Sequence, residues 1–145
     1  GAFCEQPPLS LLRVMEQAGC YIVEDDFILG NRYLDCDVEL TDNPLRALSD
    51  AYLKSNVLSS CRFEGYEPKT GGFIKTLKHR KVEGVIFACP SFCDPALQDQ
   101  PFHKSGLTEE NIRYMTLQYA EDTSQFGLIR EQVGTFTDSV KLWEA

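Results

Sequence analysis

Cys89 and Cys93 frame a stretch whose residue types and spacing point to chemistry, Glu83-Gly-Val-Ile-Phe-Ala-Cys-Pro-Ser-Phe-Cys-Asp-Pro95. Two sulfurs with three residues between them can approach one site. Clusters and structural zinc need three or four ligands, however, and Cys4, Cys20, Cys36 and Cys61 show no matching spacing. Asp94 and Pro95 form a helix-start pattern, with Asp94 placed to cap free backbone N–H groups and Pro95 suited to the first helical position. Cys93 is thus expected at a strand-to-helix turn, where the helix dipole favours a thiolate. A second polar segment, Tyr119-Ala-Glu-Asp-Thr-Ser-Gln125, is expected beside that turn; Asp122 or Thr123 reads as a helix cap before it reads as a catalytic group. Glu24-Asp25-Asp26 could bind a hard cation, but neighbouring side chains point apart, so a solvated turn with one cap is favoured. Gly71-Gly72 lacks the P-loop and GxGxxG spacings and reads as a hinge before a helix.

The elements that position these groups alternate. Leu9, Leu12, Met15 and Ala18 predict a helix over 8–18, ended by Gly19 in the left-handed conformation. Cys20-Tyr-Ile-Val23 is expected to be a short strand, with Cys20 acting as a small apolar residue. Residues 30–42 read as a loop. Asp42-Asn43-Pro44 starts a helix with Leu45, Leu48 and Tyr52 on one face, through about Asn56. Ser59 to Gly65 is ambiguous, and turn chemistry leads to a helix carrying Phe73, Ile74 and Leu77. Val85, Ile86, Phe87 and Ala88 predict a central parallel strand buried on both faces. Pro95 to about Ser105 is helical, kinked or restarted at Pro101, and residues 112–119 form a further strand. Phe126, Ile129, Val133, Phe136, Val140 and Trp143 make a single stripe on a last helix docked on a sheet. The order implies an α/β, doubly wound, three-layer Rossmann- or flavodoxin-like domain with a mainly parallel sheet.

At 145 residues the chain has one domain's length, enough to bury about two thirds of its unfolded surface. A net charge of −8 argues against nucleic acid and anionic membrane as partners. Lys75, Lys78, His79, Arg80 and Lys81 form a basic run that reads as a solvated helix end. No stretch is apolar enough to span a bilayer and no signal-peptide pattern opens the chain, so a cytoplasmic location is expected.

Gly84-Val-Ile-Phe-Ala-Cys-Pro-Ser-Phe-Cys-Asp-Pro-Ala-Leu97, Gln118-Tyr-Ala-Glu-Asp-Thr-Ser-Gln-Phe126 and Ile129-Arg-Glu-Gln-Val-Gly-Thr-Phe-Thr-Asp-Ser-Val-Lys-Leu-Trp143 resemble the C-terminal part of the ATP-dependent benzoyl-CoA reductases. These belong to the wider 2-hydroxyacyl-CoA dehydratase group. Phe3-Cys-Glu-Gln-Pro-Pro8 and Ala18-Gly-Cys-Tyr-Ile-Val-Glu-Asp-Asp26 resemble it too. The resemblance implies an oxidoreductase complex that reduces benzoyl-CoA to a cyclic dienoyl-CoA. Ferredoxin supplies the electrons, and ATP is bound by partner subunits. It implies a 4Fe-4S cluster with Cys93 as one ligand, two more coming from an N-terminal portion. Ser91 and Phe92, with Glu121 and Gln125 across the crevice, are then candidates for substrate contact or proton delivery. Residues 1–145 would be one α/β domain, the C-terminal fragment of a longer polypeptide. By itself it is expected to hold no cluster, to be inactive, and to expose an apolar surface. The alternatives are part of a 2-hydroxyacyl-CoA dehydratase, a lyase, and a metal-free flavodoxin-like binding module.

Overall fold

The computed structural model describes residues 7–27, 37–54, 69–120 and 122–143. Cys4, Cys36, Cys61, Glu121, the 59–65 stretch and most of the 30–42 loop lie outside the described residues. In chain order come α1 (Leu9–Gln17), α2 (Pro44–Lys54), α3 (Lys69–His79), β1 (Gly84–Pro90), α4 (Asp94–Glu109), β2 (Arg113–Tyr119), a 3-10 turn (Thr123–Gln125) and α5 (Phe126–Trp143).

β1 and β2 pair in parallel, with Gly84 opposite Arg113 and Pro90 opposite Tyr119. Successive side chains alternate between the two faces. Ile86 and Ala88 of β1, with Met115, Leu117 and Tyr119 of β2, meet Leu11 and Met15 of α1 and Phe126, Ile129 and Val133 of α5. Val85 and Phe87 turn the other way, toward Phe73, Ile74 and Leu77 of α3 and Leu107 of α4. Helices therefore cover both faces of the strands, giving the three-layer α/β arrangement that parallel pairing requires.

Three helix ends have one geometry. Gly19 (φ 99°), Lys81 (φ 54°) and Asn111 (φ 57°) are left-handed residues just past α1, α3 and α4. After each, the next N–H returns to a carbonyl five residues back: Cys20 to Met15 at 3.3 Å, Val82 to Leu77 at 3.0 Å and Ile112 to Leu107 at 2.8 Å. These are Schellman turns, which satisfy the orphan carbonyls and point the chain back along the layer.

Several expectations need correction. Cys20–Val23 leaves α1 by the turn that feeds β1 and β2, yet it forms no strand among the described residues. Composition gave the apolar run, but a strand exists only where a neighbouring backbone completes its ladder. The outer face of α1 carries Leu9, while Leu11, Val14, Met15 and Ala18 make the packed stripe. Gly71 and Gly72 lie within the first turns of α3 and form no hinge before it. Residues 84–88 are only half-buried, so β1 is not sealed on both faces. Of the two readings at Pro101, a kink or a restart, the restart is excluded, since α4 runs through it to Glu109. The α2 start is as expected, with Asn43 Oδ1 accepting from Arg46 N–H at 3.1 Å. The face carrying Leu45, Leu48 and Tyr52 is exposed.

Candidate functional site

The carboxyl ends of β1 and β2 carry the residues singled out by chemistry. Their parallel register puts Pro90 beside Tyr119, and Ser91 N–H donates to Tyr119 O at 2.8 Å, one rung beyond the strands. The chain then turns through Phe92, whose φ of 67° is unusual for a residue with a Cβ. That conformation throws the Phe92 ring outward, where it is 98% exposed, and folds Cys93 inward. Cys93 N–H donates to Pro90 O at 3.2 Å, and Cys93 O accepts the first helical bond of α4 from Leu97 N–H, also at 3.2 Å.

Cys93, not Asp94, holds the capping position; Asp94 is the first residue of α4 and Pro95 the second. No side chain caps this terminus. Asp94 and Ala96 bring first-turn N–H groups that the helix ladder does not use, and Pro95 brings none. Cys93 is only 4% exposed, so its sulfur does not face an open crevice as expected. It belongs to neither of the two apolar clusters that make the core, and exposed residues flank it on the turn. Two shallow hollows lie elsewhere: one near 420 Å³ between α1 and Ile22–Phe27, the other near 440 Å³ at the opposite ends of the strands, beside Glu83 and Arg113.

Cys89 has the parity of Val85 and Phe87 and so faces α4. There its sulfur accepts a hydrogen bond from Gln100 Nε2 at 2.8 Å, with both residues buried. Burial pushes the Cys89 thiol up from its ordinary value; the Gln100 amide opposes the rise, and the nearby Cys93 sulfur adds to it. The functional weight of Gln100 is not legible in spacing, because a lone glutamine on a helix carries no motif.

The second polar segment lies beside this turn, as the register demands. Asp122 Oδ1 accepts from Ser124 N–H at 2.9 Å and Oδ2 from the Ser124 hydroxyl at 2.7 Å. Those bonds hold its carboxyl below the usual range and make it the cap of the 3-10 turn. Gln125 donates its amide to Asp122 O at 2.8 Å and Ala120 O at 3.3 Å, so the side chain closes its own turn and does not reach into the crevice. Glu121 lies outside the described residues. The Glu24-Asp25-Asp26 triplet disperses: Glu24 pairs with Arg80 at 2.7 Å, and Asp25 Oδ1 accepts from Phe27 N–H at 3.0 Å. The basic run ends α3, where Lys78 also pairs with Glu110 at 2.6 Å.

Cys20, half-buried against the α1–α5 cluster, shares a hydrogen bond with the Thr137 hydroxyl at 3.3 Å. Among the described residues no three His, Cys, Asp or Glu side chains gather as a metal site. The donor chemistry at Cys93, a thiol at an uncapped helix start, fits one corner of a cluster and not a complete ligand set.

Parallel strands covered on both faces, with a cysteine where one strand turns into a helix, define an α/β protein of the doubly wound class. The chain belongs to the 2-hydroxyglutaryl-CoA dehydratase D-component family, whose model matches residues 1–140. It is 42% identical over 144 residues to a benzoyl-CoA reductase subunit of Thauera aromatica. It is 22% identical over 130 residues to the (R)-phenyllactyl-CoA dehydratase beta subunit of Clostridium sporogenes. These matches take in 99% and 90% of this chain, which spans 37% and 34% of the length of those two proteins. No helix among the described residues is long and apolar enough to cross a membrane.

Proposed function

We propose that this chain is one α/β domain, the C-terminal part, of an iron-sulfur subunit in a cytoplasmic, ATP-dependent benzoyl-CoA reductase. The observation that carries the reading is the 42% identity to a reductase subunit across nearly the whole chain, with Cys93 in the strand-to-helix turn. Cys93 supplies one thiolate ligand to a 4Fe-4S cluster. As the family resemblance implies, two further ligands come from an N-terminal portion of the longer subunit, so this domain by itself holds no cluster and is inactive. When bound, the cluster delivers low-potential electrons, drawn from ferredoxin and driven by ATP hydrolysis in partner subunits, to the aromatic ring of benzoyl-CoA.

The chain's own residues hold and shape that site. The N–H groups at the start of α4 favour a negatively charged sulfur and tune it by hydrogen bonding. Ser91 and the outward Phe92 ring offer a hydroxyl and an apolar surface to the thioester substrate. Ring reduction generates strongly basic intermediates, so a proton donor is required. Glu121 is the candidate acid in the adjacent segment, since the Asp122 carboxylate is engaged by Ser124; Gln125 contacts substrate only if its amide leaves Asp122 O.

The test is iron and acid-labile sulfide in the anaerobically purified full-length complex, with and without Cys93→Ser. The substitution should remove roughly one cluster's iron per subunit. Unchanged iron would support a metal-free binding module instead. The match to a dehydratase subunit favours a second reading, a lyase acting on a 2-hydroxyacyl-CoA. A dienoyl-CoA formed from benzoyl-CoA, as against an enoyl-CoA formed from a 2-hydroxyacyl-CoA, separates the two.

A further inference from the structure

Gln100 occupies an unusual place. Gln100, His103 and Leu107 lie three and four residues apart on the face of α4 that meets the strands, and Gln100 is only 5% exposed. An apolar side chain would cover β1 there without desolvating an amide, which is unfavourable when its hydrogen bonds are not replaced. The bond it makes goes to Cys89 Sγ, and sulfur is a weak acceptor. Packing alone does not call for this pair. Its position suggests another role: Cys89 is the next-to-last residue of β1 and Gln100 lies two turns into α4, so the bond bridges the two arms of the turn carrying Cys93. That turn has no side-chain cap and holds Phe92 in a strained conformation.

We infer that Gln100 is a positioning residue, which through its buried hydrogen bond to Cys89 holds the Cys93 sulfur in the tucked orientation from which it binds metal. The inference rests on the cluster-ligand reading of Cys93, but its first readout does not. In the metal-free full-length protein, alkylation of Cys93 by iodoacetamide is followed by peptide mass spectrometry for wild type, Gln100→Leu, Cys89→Ala and Cys89→Ser. Gln100→Leu and Cys89→Ala should each speed Cys93 alkylation about fivefold or more, and Cys89→Ser, which keeps an acceptor, should stay within about twofold of wild type. Thermal unfolding of Gln100→Leu should be unchanged or slightly raised, separating position from stability. In the anaerobic complex, Gln100→Leu should lower iron per subunit by about half and shift the spectrum of the reduced cluster.

Equal Cys93 alkylation in wild type, Gln100→Leu and Cys89→Ala overturns the inference. So does a Cys89→Ser variant as reactive as Cys89→Ala. If Gln100→Leu fails to fold, the two Cys89 variants decide the question alone. A wild-type complex without iron would remove the proposed function, while the alkylation comparison would still decide whether Gln100 positions the turn.

Discussion

Cys89 and Cys93 have the same burial and opposite prospects. Cys89 faces α4, and desolvation favours its neutral thiol in the folded chain. A folded value above the unfolded one gives stability that is complete below the ordinary thiol value of 9.0 and is lost as pH rises through the folded value. Chemical unfolding between neutral and alkaline pH should therefore show an alkaline loss in wild type that is smaller in Cys89→Ala. Asp122 has the opposite sign. Its lowered value contributes stability above the ordinary carboxyl value of 3.8 that disappears as pH falls through the folded value, and solvent exposure keeps the effect small. Lys81 is a different case, a side chain in a left-handed conformation that glycine enters freely. Lys81→Gly should raise unfolding stability by about 1 kcal/mol, measured by denaturant titration.

Among the elements, α3 and α4 decide how the cysteine turn is held. Gly106 lies where they cross, and an added Cβ there would collide with Thr70 Cγ2. Gly106→Ala should cost about 1–3 kcal/mol in thermal or denaturant unfolding, because Thr70 must turn from its bond to Phe102 O or the helices must move apart. Both helices were legible, α3 from Phe73, Ile74, Leu77 and its basic end, and α4 from its Asp94-Pro95 start. The cap was misplaced by one residue because Phe92's left-handed turn, which no pattern marked, brings Cys93 into the capping position. Pro101 left a kink or a restart open, and the restart does not occur. A proline removes one hydrogen bond and strains one turn, but packing of Leu107 against Ile74 and Leu77 holds the helix through it. Cys20–Val23 shows the remaining limit, since apolar β-branched residues announce a strand without revealing whether a neighbour will pair with it.

For the molecule as a whole, alternation of elements was enough to foresee helices on both faces of parallel strands. The stripe on α5 correctly placed Phe126, Ile129, Val133 and Val140 in the core; the Trp143 side chain lies outside the described residues. Leu11, fully buried between α1, α5 and the strands, is a point where these layers meet, and Leu11→Ala should cost about 2–5 kcal/mol. The periodicity of α2 was equally clear and its burial was not, because a stripe states that a face is apolar without naming what covers it. Serine at Leu45 or Leu48 should change unfolding stability by less than about 0.5 kcal/mol in this chain.

The Schellman turn after α3 has a wider consequence. Val82 is tied to the helix and Gly84 opens the strand, so only Glu83 stands between a fixed anchor and a ladder of period two. One inserted residue there must bulge outward or rotate everything downstream by half a period, swinging Phe87 and Cys89 toward α1 and α5. The sulfur would then sit across the sheet from the amide that now holds it, with every helix still in place.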